Sequence, residues 1–162
     1  MKTLLILRHA KSSWKHPELS DHDRPLNKRG KHDAPLMGRQ MREKRLVPDL
    51  IISSTAVRAK DTAVEIAEAV KYKREIVFLT SLYAATPGAY IKAINHTAED
   101  DDYSTVLVVG HNPGLEELIE VLTGEMCELT TCALAIIELP TEKWSTLNMR
   151  HNKLIECIRI EH

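Results

Sequence analysis

Four residues of reactive type follow short apolar runs. The run "LLIL" stops at Arg8 and His9, "DLIISS" leads into "TAVRAKDTA" with Arg58, and "TVLVVG" is followed at once by His111. Arginine presents a planar fork of donors matched to phosphate or carboxylate oxygens and stays charged in a protein. Two such groups suit a dianion, and phosphate is the natural guest. An imidazolium beside two guanidinium groups is disfavoured, so a histidine there stays neutral near pH 7 and keeps a nitrogen lone pair. That lone pair can attack phosphorus, dividing phosphoryl transfer into two steps through a phosphohistidine while the arginines stabilise the equatorial oxygens. The scheme calls for no metal or other cofactor, and neither an HExxH motif nor a carboxylate cluster suggests one.

These residues need a scaffold that brings strand ends to one rim. Thr3 to Leu7, Asp49 to Ser54, Ile76 to Leu79 and Thr105 to Gly110 read as strands buried on both faces, which fits a central parallel sheet. Ala59, Ala63, Ile66 and Val70 recur at helical spacing, as do Leu115, Leu118, Ile119 and Leu122. A third helical stretch over Asn27 to Lys44 contains Pro35 and Gly38, which predict a kink or a late start. Thr86 and Pro87 read as the N-cap and first turn of a short helix. Asn112 and Pro113 read the same way, which aims a helix N-terminus at the anion. Cys132 to Leu139 and Leu154 to Ile160 are expected to pair antiparallel at a sheet edge, through a connection holding Trp144. The predicted fold is α/β, a three-layer sandwich with a mostly parallel central sheet flanked by helices. In such sheets ligands bind beyond the carboxyl ends of the strands, where Arg8, His9, Arg58 and His111 fall.

"LRHAKSSW", "SSTAVRAKDTA" and "VVGHNPGLEEL", with "DRPLNKRG" and "SLYAATP" in the same order, resemble the histidine phosphatase superfamily with its phosphoglycerate-mutase-like fold. Within it they resemble the small SixA-type phosphohistidine phosphatases, which lack a large lid insertion. The resemblance implies His9 as a nucleophile that becomes phosphorylated, Arg8 and Arg58 as clamps on the phosphoryl oxygens, and His111 as a donor to the phosphoryl group. It also implies Arg24 and Ser12 as further phosphate ligands. Many superfamily members supply a glutamate after the third strand as proton donor, whereas this chain reads "TSLYAATP" there. Asp21 and Asp23 in "LSDHDRPL" are the nearest candidate acids by motif. Missing acid help, worth roughly 100- to 10,000-fold for a poor alkoxide, matters less when an imidazole leaves. The implied function is hydrolysis of phosphohistidine on a signalling or phosphotransfer protein. A phosphatase for small phosphate esters and a non-catalytic phosphate-binding module are the alternatives. A mutase is disfavoured by the missing carboxylate and insertions.

Composition narrows the rest. The 162 residues fit one domain over 1–162, long enough to bury about 70% of the unfolded surface. Twenty-two Lys plus Arg against twenty-three Asp plus Glu give a formal charge of -1, so no overall basic excess points to nucleic acid or an anionic membrane. Two Trp, four Tyr and one Phe provide no stacking platform for single strands. Apolar runs fall short of the roughly 18 residues of a membrane span, and the N-terminus lacks a signal-peptide core, so a cytoplasmic protein is expected. Cys127, Cys132 and Cys157 read as reduced thiols in or near the core, and Glu99 to Asp102 as a solvated turn. Trp14 and Trp144 read as residues that pack or line a rim, Tyr83 as one that either borders the pocket or packs, and Lys11 is a nearby cation without an assigned role. Oligomeric state has no sequence signal.

Overall fold

A computed structural model describes residues 1–99, 102–141, 143–147 and 151–162. Asp100 and Asp101 of the expected acidic turn lie outside the described residues, while Glu99 and Asp102 are exposed. Six strands, β1 (Lys2–Arg8), β2 (Leu50–Ser54), β3 (Val77–Leu79), β4 (Thr105–Gly110), β5 (Leu134–Leu139) and β6 (Lys153–Ile158), form one sheet. Their order is β3-β2-β4-β1-β5-β6, with the first four mutually parallel, β5 antiparallel to β1 and β6 antiparallel to β5. Helices α1 (Lys28–Glu43) and α2 (Val57–Ala69) cover one face through Met37, Met41, Ala63 and Ile66. Helices α3 (Pro87–Thr97) and α4 (Gly114–Thr123) cover the other through Tyr90, Ile94, Leu115 and Leu118. Three layers result, as the alternation of apolar runs predicts.

The strand runs differ in depth. Residues of β1, β2 and β4 reach zero exposure on both faces, but β3 is an edge strand whose three residues are only half-buried. Its apolar run reflects one packed face, not a central position. Helix α1 starts without delay, because the Asn27 side chain accepts from the Gly30 amide, and it continues through Pro35. Gly38 lets α1 approach α2, since a Cβ there would sit 2.5 Å from the Ala69 Cβ. Thr86 caps α3 by accepting from the Ala89 amide. Asn112 does not cap α4: its Nδ2 donates to the Leu129 carbonyl at 2.8 Å, and Pro113 occupies the cap position without a side-chain bond. The cysteine reading also needs correction. Cys127 and Cys157 form a disulfide that ties the α4–β5 connection to β6, and Cys132 alone is a free, buried thiol. Sequence spacing could not show that the edge strand passes beside that connection. Trp144 is fully buried and donates to the Tyr103 carbonyl.

Candidate active site

Register brings the reactive residues together. Arg8 pairs with Gly110 and Ser53 with Val109, so β1, β4 and β2 end level with one another. The His9 amide donates to the Gly110 carbonyl, which sets His9 beside His111, with ring centroids 5.2 Å apart. On the far side of β1, the Cys132 amide donates to the carbonyls of Arg8 and His9. From β2 the chain passes through Ser54 into the first turn of α2, which carries Arg58. The pocket so formed has a volume of about 230 Å³ and is lined by Arg8, His9, Lys11, Ser12, Trp14, Arg24, Arg58, His111, Asn112 and Thr131. No large insertion covers it.

The ring of His9 is fixed by its own loop. Its Nδ1 lies 2.7 Å from the Ala10 carbonyl, which can only accept, so a neutral His9 carries its proton on Nδ1 and keeps the lone pair on Nε2. Burial, opposed by that hydrogen bond but reinforced by His111, Arg58 and Arg8, lowers its pKa to about 3. His111 is lowered to about 4, chiefly by burial and then by Arg58. Its Nε2 is hydrogen-bonded to Ser54 Oγ at 2.8 Å, leaving the buried Nδ1 without a partner among the described residues. The Nε atoms of Arg8 and Arg58 are likewise buried and unpartnered. Buried guanidinium donors of this kind ordinarily find an acceptor, a role that the oxygens of a bound anion can fill.

Each guanidinium is held from behind. Arg8 Nη1 donates to the Leu129 carbonyl at 3.1 Å, the same acceptor used by Asn112, and Glu116 supports the Arg8 charge against its burial. Arg58 donates to both the carbonyl and the carboxylate of Asp21, at 2.6 and 3.0 Å. Arg24 donates to Asp21 Oδ1 at 3.1 Å and to Ser12 Oγ at 2.8 Å, and its guanidinium lies 3.6 Å from the centre of the Trp14 ring. Since Ser12 Oγ accepts from Arg24, its own hydroxyl proton is available to the pocket. Tyr83 completes the set by donating to Asp21 Oδ2 at 2.5 Å.

Among the sequence candidates, Arg8, His9, Ser12, Arg24, Arg58 and His111 share one pocket wall. The two aspartates do not line it. Asp21 is lowered to about 2 by the Tyr83 hydrogen bond and the neighbouring arginines, so at neutral pH it is a carboxylate with no proton to give. Asp23 is exposed, with Oδ1 3.1 Å from His22 Nδ1. Four supporting groups had no sequence signal. Ser54 meets His111, and Thr62 accepts from the Ala10 amide while donating to the Arg58 carbonyl. Tyr90 accepts from the His111 amide, and the Leu129 carbonyl holds Arg8. No group of three His, Cys, Asp or Glu side chains among the described residues could hold a metal ion.

Comparison with known proteins bears on the family and the fold. The model of the histidine phosphatase superfamily, branch 1, matches residues 4–82, which include His9 and Arg58. The chain belongs to the histidine phosphatase superfamily. Among the superfamily's solved structures, a protein from Agrobacterium tumefaciens bearing the phosphohistidine phosphatase SixA designation is 29% identical. It superposes with a TM-score of 0.83 over 98% of both chains. The protein histidine phosphatase SixA complexed with tungstate shares the fold, at 21% identity and a TM-score of 0.82 over 96% of each chain. This chain is therefore a phosphatase of the superfamily, in its SixA-type branch. An uncharacterized protein of Mycobacterium tuberculosis is 36% identical over 143 residues, covering 86% of this chain and 82% of the relative. An uncharacterized chloroplastic protein of Arabidopsis thaliana is 34% identical over 150 residues, covering 88% and 69%. No helix among the described residues is long and apolar enough to cross a membrane.

Proposed function

We propose that this phosphatase hydrolyses phosphohistidine on a partner protein, through a covalent phosphohistidine formed on His9. The observation that carries the reading is the Nδ1 contact of His9 with the Ala10 carbonyl, which reserves Nε2 as a lone pair beside two guanidinium groups. Nε2 attacks phosphorus while the P–N bond of the substrate breaks. The electron pair of that bond stays on the departing ring, which leaves as neutral imidazole because the other ring nitrogen of the substrate phosphohistidine carries a proton. Arg8, Arg58 and His111 stabilise the equatorial oxygens during transfer. Water then attacks the phosphorus on His9, releasing inorganic phosphate and restoring the neutral ring.

The residues around the pocket support this substrate class. Asp21 is ionised and tied to two arginines, and Asp23 lies outside the pocket, so neither is set to protonate an alkoxide. An imidazole leaves with less help. The uncovered pocket suits a phosphorylated side chain presented by a protein of a signalling or phosphotransfer system, and a cytoplasmic setting fits that partner. The SixA designation of the Agrobacterium relative supports the same class.

The test is to mix the enzyme with a phosphohistidine peptide, quench in alkali and locate acid-labile phosphate by mass spectrometry. Phosphate on His9 is expected, and His9→Ala should reduce turnover by about 10,000-fold or more, as loss of a nucleophile does in other covalent enzymes. Full turnover by His9→Ala would falsify the mechanism. Faster hydrolysis of small phosphate esters than of the peptide would reassign the substrate class.

A further inference from the structure

One side of the pocket mouth is built to meet more than a phosphoryl group. Trp14 lines the pocket yet is 74% exposed, with its ring against the Arg24 guanidinium. A large aromatic left in solvent at the lip of a site is typical of a contact residue for a partner. Immediately after it, Lys15 opens a surface groove of about 530 Å³ that continues along Asn27, Lys28, Arg29 and His32. The two hollows are tied through the backbone, because the Asn27 amide donates to the carbonyl of Lys11, itself a pocket residue.

The groove is basic although the chain has a formal charge of -1. Lys28, Arg29 and Lys31 crowd the start of α1, where no acidic residue occupies the first turn. Lys28 and Lys31 there oppose the helix dipole, so helix stability does not account for them, whereas Arg29 also pairs with Asp33 one turn on. The neighbouring carboxylates are already engaged. Glu18 is 3.5 Å from His16, while buried Asp33 meets His162 at 2.9 Å and Arg29 at 3.6 Å. Lys11, Lys15 and Lys28 make no ion pair among the described residues. Beyond Asn112 on the other side of the pocket lies a cleft lined by Glu116, Glu117, Glu120 and Glu128. The mouth is therefore polarised, positive toward α1 and negative toward α4.

We propose that the groove along Lys15, Lys28 and Arg29, with Trp14 at its head, docks an acidic protein surface flanking the phosphorylated side chain. The proposal rests on the phosphohistidine reading for the identity of the partner, and on charge and continuity for the surface itself. Docking of this kind steers encounter and fixes orientation, and it weakens as salt screens the charges.

Peptides carrying a non-hydrolysable phosphohistidine analogue between acidic, neutral or basic flanks test it by fluorescence anisotropy. Acidic flanks should bind about tenfold more tightly than basic flanks at low ionic strength, with the difference shrinking at high salt. The double variant Lys15→Glu, Lys28→Glu should abolish the preference while leaving turnover of p-nitrophenyl phosphate intact, which shows that the variant is folded. Equal binding of all flanks, or a preference that survives the double variant, would overturn the proposal. So would tighter binding of a single-stranded oligonucleotide than of the acidic peptide at the groove. In parallel, a phosphohistidine peptide with acidic flanks that binds in the expected pattern but is never hydrolysed would refute the phosphohistidine reading and leave the docking surface standing.

Discussion

Asp21 and His9 show how neighbours set a residue's role. A carboxylate beside a phosphate pocket invites assignment as an acid, yet this one receives hydrogen bonds from Arg58, Arg24 and Tyr83. Its role in the geometry is to aim two guanidinium groups. Asp21→Asn should therefore lower kcat/KM by about 10- to 100-fold, the range expected when a charge-assisted hydrogen bond is lost, without removing the alkaline limb of the pH–rate profile. Loss of that limb in steady-state kinetics would restore Asp21 as the acid. For the histidines, NMR of 13C-labelled imidazoles should show His9 and His111 without titration between pH 5 and 8, since their pKa values are lowered to about 3 and 4. Titration of either near pH 6.5 would show that its ring is not held neutral by burial and the arginines. The residue types Arg8, His9, Arg58 and His111 were legible because each ends or follows an apolar strand run. Asp21 as an anchor was not, because its partner Arg58 is distant in sequence and only the folded loop brings them together.

At the scale of elements, strand register assembles the site and helices steady it. The alternation of apolar runs with helical periods was enough to read the layers, since burial imposes those periods on any sequence. It could not read the edge position of β3 or the side-chain links between layers, which depend on packing. Tyr90 is such a link: from α3 its hydroxyl accepts from the His111 amide, and Gly110 makes room, since a Cβ there would lie 2.3 Å from that hydroxyl. Tyr90→Phe leaves the buried amide unsatisfied, so it should cost about 1–3 kcal/mol in urea denaturation. It should also weaken phosphate binding through His111, and an unchanged stability would remove Tyr90 from this role. Gly30 is the corresponding point on α1. A Cβ would meet the Lys11 carbonyl at 2.1 Å, which is backbone and cannot step aside alone. Gly30→Ala should thus displace the loop after His9 and cut turnover more than a surface Gly→Ala change elsewhere would. Kinetics and thermal denaturation measured on the same variant separate the two effects.

For the whole molecule, the site's electrostatics become a statement about stability. His9 and His111 are held neutral in the folded state, with pKa values of about 3 and 4, whereas an unfolded chain binds their protons near pH 6.5. Between those limits the unfolded state binds more protons than the folded one, so stability is full above about pH 6.5 and falls as pH drops toward 4. Asp21 acts in a lower window, because its depressed pKa of about 2 contributes stability above roughly pH 3.8 that is lost on further acidification. At about 1.4 kcal/mol per pKa unit, the two histidines together make the acid-side loss several kcal/mol, large against a typical stability of about 5–15 kcal/mol. Calorimetry from pH 8 to pH 4.5 should therefore show a falling Tm that begins near pH 6.5. His111→Gln, which keeps a polar side chain but cannot titrate, should flatten the curve. Inorganic phosphate should raise Tm, by binding the folded state alone. A wild-type Tm that stays level from pH 7 to pH 5 would mean that the pocket does not hold its histidines neutral, and the nucleophile would then need another means of activation.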